Sequence, residues 1–150
     1  MVLMFIENRY ICGTKQPLVK TILLIDDDAD DREIFQEALS AIEWSISINF
    51  REAENGVDAF VKLKDPKTKK PDLIFVDLNM PKMDGKEFLM EIKKQQPFKN
   101  IPVIIYSTSA NKSDIDFTLQ HHAEKFMTKP HSIFDLKKEL ESTLRHLLEI

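Results

Sequence analysis

The chain has 150 residues, 43% of them hydrophobic and 31% charged, which is the size and balance of one globular domain with a full core. A net charge of −4 argues against the basic face that nucleic-acid binding needs, and a single cysteine, Cys12, rules out an internal disulfide and fits a reducing, cytoplasmic setting. No apolar run approaches the ~18 to 20 residues of a membrane span, and no basic segment precedes the short apolar run Val2 to Ile6, so no signal peptide is expected.

Residues 1–19 read as an extension of unassigned role, and residues 20–150 as the domain. "TILLI" (Thr21 to Ile25) reads as a buried strand. Five acids follow in six positions: Asp26, Asp27, Asp28, Asp30 and Asp31. "ADDREIFQEALSAI" reads as a helix, with Ile34, Ala38 and Ile42 recurring every fourth residue. "SISINF" (Ser45 to Phe50) alternates apolar and polar residues, the pattern of a strand with one exposed face. "NGVDAFVKLK" is a short helix entered through Asn55 and Gly56, and "DPKTKKP" is a polar connector. "DLIFV" (Asp72 to Val76) is a second continuous apolar strand. "DGKEFLMEIKKQ" is a helix with Phe88, Leu89 and Ile92 on one side. "IPVIIY" (Ile101 to Tyr106) is a third buried strand. "NKSDIDFTLQHHA" is a weaker helix resting on Ile115 and Leu119, and "EKFMT" (Glu124 to Thr128) is a short strand. The last helix carries Ile133, Leu136, Leu140, Leu144 and Leu147 on one stripe, with Ser132 as its N-cap.

Five strands thus alternate with five helices. Strands joined by helical crossovers are parallel, and continuous apolar strands are those covered on both faces. The expected fold is α/β: a doubly wound, five-stranded parallel sheet in a three-layer α/β/α sandwich, with flavodoxin-like strand order 2-1-3-4-5. The half-polar second strand suits a sheet edge. The chain reverses direction between strands 1 and 3, and the crevice at their carboxyl ends is the default site.

Asp26, Asp27 and Asp28 follow strand 1, Asp77 follows strand 3, Ser107 follows strand 4 and Lys129 ends strand 5. Carboxylates at close range repel and need compensation, which a divalent cation supplies. Hard oxygen donors suit Mg²⁺, or Mn²⁺. With its charge neutralised, Asp77 can attack a phosphoryl group. Lys129 can pair with the phosphoryl charge, and the Ser107 hydroxyl can donate to one of its oxygens.

These residues resemble the receiver domain of bacterial two-component response regulators, of the single-domain, chemotaxis-regulator-like kind. The resemblance covers residues 20–150. It rests on Asp26-Asp27, on Asp77 followed by Asn79-Met80-Pro81 and Asp84-Gly85, on Ser107, and on Lys129-Pro130. It implies Mg²⁺ held by Asp26, Asp27, Asp77 and the Asn79 backbone carbonyl, and a phosphoryl group accepted on Asp77. It also implies Ser107 as a switch hydroxyl, Phe126 as a switch aromatic, Lys129 as the phosphoryl charge partner, and a cis Lys129–Pro130 bond. The implied partners are a sensor histidine kinase or phosphotransfer protein and a downstream protein target. A homodimer through the helix 4, strand 5, helix 5 face is a further possibility; no nucleic acid and no membrane are expected. Such a protein assists its own phosphorylation and is not counted an enzyme. Serine stands at 107 where threonine is common, and Thr108 is bulkier than the usual alanine.

Two rivals differ in class. One is a degenerate receiver, unphosphorylated and acting as a protein-binding module. The other is a phosphohydrolase of the haloacid-dehalogenase type, whose D-x-D-x-T pattern fails here because Asp30 stands where threonine or valine is expected. Asp28, Asp30 and Asp31 read as the start of the first helix rather than as ligands. Asp84 likewise reads as a helix start. His121 and His122 point in different directions on a helix and are not a metal pair.

Overall fold

In the computed structural model, which describes residues 10–11, 14–15 and 18–150, five strands alternate with five helices from Val19 onward. The strands β1 (Val19–Ile25), β2 (Ser47–Ala53), β3 (Leu73–Val76), β4 (Val103–Ser107) and β5 (Lys125–Thr128) are all parallel, in the order β2-β1-β3-β4-β5. The helices are α1 (Ala29–Ser40), α2 (Gly56–Leu63), α3 (Gly85–Ile92), α4 (Lys112–Gln120) and α5 (Ile133–Leu148). This is the expected flavodoxin-like α/β/α sandwich in order 2-1-3-4-5. A two-residue antiparallel ladder, Tyr10–Ile11 with Thr14–Lys15, precedes it. Cys12 and the apolar run at residues 2–6 lie outside the described residues. Among those described, no helix is long and apolar enough to cross a membrane.

The sheet is covered on both faces because its central strands are buried on both sides: β3 and β4 along their whole length and β1 from Thr21 onward. Alternate side chains of a strand point to opposite faces. Leu23 and Ile25 of β1 join Ile74, Val76, Val103 and Ile105 under Phe60 of α2 and Phe88, Leu89 and Ile92 of α3. Ile22 and Leu24 turn the other way, with Leu73, Phe75 and Ile104, under Phe35, Ala38 and Leu39 of α1 and Leu136, Leu140 and Leu144 of α5. Edge strand β2 stays half exposed, as its mixed sequence requires.

The details differ from the sequence pattern in four places. The buried stripe of α1 is Phe35, Ala38, Leu39 and Ile42, an i, i+3, i+4, i+7 set, whereas Ile34 is 43% exposed. Strand β2 starts two residues late and continues to Ala53, because its partners run from Val19 to Ile25. Leu119 of α4 is exposed, and the buried residue there is Thr118, whose hydroxyl donates to the Ile115 carbonyl at 3.0 Å. Leu148 rather than Leu147 completes the buried stripe of α5, and Ile133 is exposed.

Two glycines set how closely the loops approach. A Cβ on Gly85 would collide with the Asp77 carbonyl oxygen and lie 2.8 Å from Leu78 Cα, both rigid backbone. On Gly56 it would meet only the Met83 side chain, at 2.6 Å. Gly85→Ala is therefore expected to destabilise the chain by about 1–3 kcal/mol, the usual cost of overpacking. Gly56→Ala should cost less, because a methionine side chain can turn away. Urea unfolding midpoints of the two variants measure the difference.

Candidate functional site

The ends of β1 and β3 are brought level by the sheet register. Ile25 pairs with Val76, so the next residues, Asp26 and Asp77, emerge side by side. Their amides extend the ladder: the Asp26 N–H donates to the Ala53 carbonyl at 3.0 Å, and the Asp77 N–H donates to the Ile25 carbonyl at 2.9 Å. Neither aspartate is free to drift. Asp26 is fully buried, Asp77 is 8% exposed, and Asp27 is exposed. Carboxylate oxygens of all three lie within 4.8 Å of one another.

Lys129 lies across this cluster from the end of β5. Its amide donates to the Ser107 carbonyl at 2.8 Å, which fixes its backbone beside β4. Its ammonium donates to Asp26 Oδ2 at 2.7 Å, Asp31 Oδ2 at 2.8 Å and Asp77 Oδ2 at 3.3 Å. Burial disfavours the lysine's charge, but the hydrogen bonds it donates to Asp26 and Asp31 and the charge of Asp77 outweigh that and hold its pKa above the ordinary range. For Asp26 the balance falls the other way. Burial raises its pKa, and the contacts with Lys129 and the Asp28 N–H only partly offset the rise.

The first turn of α1 divides its acids. Asp28 is the N-cap, accepting from the amides of Asp30 and Asp31, so the local explanation of an acid at a helix start holds for it. Asp30 is exposed. Asp31, read from sequence as part of the helix start, instead reaches Lys129, nearly a hundred positions away. Arg32, which the sequence did not single out, donates to the Asp26 carbonyl at 2.7 Å and to Glu52 Oε1 of β2 at 2.7 Å. Nothing local in the sequence flags either contact; only the expectation that a buried lysine and a buried aspartate need partners could have prompted the search.

The remaining expected residues lie on the neighbouring strands and loops. Ser107 ends β4, is fully buried, and its hydroxyl accepts from the Ser109 N–H at 3.3 Å. Thr108 is exposed. Asn79 is exposed in the loop after Asp77, and Phe126 is half-buried against the core. Asp84 caps α3 in a capping box with Glu87 and holds no place in the acidic triad. The Lys129–Pro130 bond is trans, since no cis peptide occurs among the described residues; the cis bond that the resemblance implied is not present.

Chemically, the cluster offers hard oxygen donors for a divalent cation and a nearly buried carboxylate, Asp77, beside a fixed ammonium. Comparison with known proteins agrees with that chemistry. The family described as the response regulator receiver domain matches residues 22–141. The response regulator Rcp1 of Synechocystis sp. is 34% identical over 136 residues, covering 87% of this chain and 90% of Rcp1. The crystal structure of the phosphorylated cyanobacterial phytochrome response regulator RcpA is similar with a TM-score of 0.80 and 32% identity, over 87% of this chain and 95% of RcpA. That of the Mn(2+)-bound form of Rcp1 gives 0.77 and 33%, over the same shares.

The raised pKa of Asp26 has a consequence for stability. An unfolded aspartate titrates near about 3.9, and folding moves Asp26 above that value. The folded chain then holds the proton more tightly than the unfolded one, so this group's contribution is greatest at acid pH and is lost as pH rises through the folded value. Asp26→Asn is expected to raise the thermal midpoint at pH 7 in the absence of divalent cations. The gain should shrink as pH falls through the raised folded value, where Asp26 itself becomes neutral. Thermal unfolding of both proteins in chelator across that range checks it.

Proposed function

The chain belongs to the response regulator receiver domain family, and from that premise we propose that it accepts a phosphoryl group on Asp77 in a cation-dependent reaction and signals through a conformational switch. One observation carries this reading: the carboxylates of Asp26, Asp27 and Asp77 converge within 4.8 Å at the switch point of the sheet, with the Lys129 ammonium already on two of them.

The donor set fits a hard divalent ion. Asp26, Asp27 and Asp77 would hold Mg²⁺ or Mn²⁺, with the Asn79 backbone carbonyl as a further oxygen donor; the Mn(2+)-bound structure of the relative Rcp1 supports this choice. A bound cation would supply neutralisation of the acids and electrostatic stabilisation of the transferred oxygens. An oxygen of Asp77 attacks the phosphorus of a phosphohistidine on a sensor histidine kinase or phosphotransfer protein. The P–O bond forms as the P–N bond breaks, and the electron pair passes to the imidazole nitrogen, which takes up a proton. Lys129 pairs with the charge arriving on Asp77. Ser107, at the end of β4, donates its hydroxyl to a phosphoryl oxygen. Phe126, half-buried one strand away, follows that movement inward.

Residues 1–19 are then an extension and residues 20–150 the receiver, working in the cytoplasm. Signal leaves by the surface of α4, β5 and α5, through a protein target or a second copy of the chain. The family places the chain with receivers rather than with phosphohydrolases.

Incubation with acetyl phosphate and Mg²⁺ is expected to add one phosphoryl group, seen by intact-mass spectrometry. Asp77→Asn should abolish the adduct, and chelator should prevent it. An adduct that survives in Asp77→Asn would place the acceptor elsewhere. No adduct, together with no binding of beryllofluoride, would make the chain an unphosphorylated binding module.

A further inference from the structure

The Lys129 ammonium has three N–H groups, and the structure gives it three carboxylate acceptors: Asp26 at 2.7 Å, Asp31 at 2.8 Å and Asp77 at 3.3 Å. The ring of Tyr106 lies 5.3 Å from the same nitrogen and closes a further side. A phosphoryl oxygen on Asp77 therefore meets a lysine whose donors are all engaged. One acceptor has to give way.

The three acceptors are not equivalent. Asp26 is fully buried and belongs to the triad whose oxygens converge. Asp77 is itself the acceptor. Asp31 stands outside the triad, and its side chain is a third exposed, so water can replace the lysine at little cost. Nor is Asp31 needed to start α1, because Asp28 already caps that helix and accepts from the Asp31 amide. Lys129 also donates to Asp31 over a shorter distance than to Asp77, so the ammonium lies closer to the carboxylate of α1 than to that of the acceptor.

Resting on the phosphoacceptor reading of Asp77, we infer that Asp31 is a positioning residue that competes with the phosphoryl group for Lys129. In the unphosphorylated state it restrains the lysine. When a phosphoryl group arrives, its hold is subtracted from the stabilisation the lysine can offer. Removing the carboxylate frees one N–H for the incoming oxygen and strengthens the pocket's grip on that group.

The test uses the full chain and beryllofluoride, the phosphoryl mimic, followed by ¹⁹F NMR at a Mg²⁺ concentration shown to saturate each variant. Asp31→Asn is expected to bind it about two- to fivefold more tightly than the unaltered chain, the scale of a partly exposed ion pair. Asp31→Glu keeps the carboxylate and should stay near the unaltered affinity. Asp30→Asn removes the same charge one residue away, from a side chain that does not reach Lys129, and should leave the affinity unchanged. Asp31→Ala gives the same direction as Asp31→Asn if the amide perturbs the helix start. Equal affinity of Asp31→Asn and the unaltered chain would overturn the inference, and so would an equal gain in Asp30→Asn, which would mean bulk charge alone. If the unaltered chain binds no beryllofluoride, the phosphoacceptor reading fails and this inference falls with it. Binding that simply does not respond to residue 31 sinks the inference and leaves that reading standing.

Discussion

Carboxylates forced together at the carboxyl ends of β1 and β3, with one ammonium among them, set the terms for the rest of this structure. Three acids whose oxygens lie within 4.8 Å repel one another, and Asp26 is also stripped of water. A single lysine answers only part of that charge. The arrangement persists because the backbone leaves no alternative: the amides of Asp26 and Asp77 are the last rungs of a parallel ladder, paired to Ala53 and Ile25. Relieving the repulsion would mean breaking the sheet where it is best packed.

That rigidity has an identifiable source. Every side chain of β3 is buried, and β1 is buried from Thr21 onward, split by parity into two apolar layers. Burial of this kind contributes on the order of 25 cal/mol for each Å² removed from water, over many large side chains. Against such a sum, the unfavourable ionisation of one aspartate is a small local cost. The sheet can hold a carboxylate in an electrostatically poor place, and the negative charge left over there is what a divalent cation would offset.

Most of this was legible in the sequence, for a reason that can be stated. Continuous apolar runs ending in Asp26, Asp77 and Ser107, with the short strand before Lys129, mark both the strands and which residues leave them, and parallel pairing brings those ends to one edge. What escaped notice depended on contacts between distant positions. Asp31 looked like a helix-start acid because that explanation is local and usually sufficient; its pairing with Lys129 exists only once α1 and β5 are folded against each other. Ile34 entered the expected stripe because counting every fourth residue drifts from the true helical period, which places Phe35 and Leu39 inward instead. The helix α4 was read from Ile115 and Leu119, but its buried position is a threonine that satisfies its own hydroxyl within the helix.

The first turn of α1 shows how one short segment serves several neighbours. Side chains at successive helical positions point about 100° apart, so Asp31 and Arg32 reach different partners from adjacent residues. Asp31 takes the Lys129 ammonium of β5, while Arg32 takes the Asp26 carbonyl of β1 and the Glu52 carboxylate of β2. With Asp28 bonded both to its own helix and, through its amide, to Asp26 Oδ1 at 3.0 Å, this turn ties three strands around the pocket. Its charges alternate where the pocket needs them to: an acid faces the Lys129 ammonium, and a base faces the backbone and edge strand beside the buried acid. A run of five acids in six positions thus resolves into separate duties, and which acid does which is decided by the direction each position takes in space, not by its place in the run.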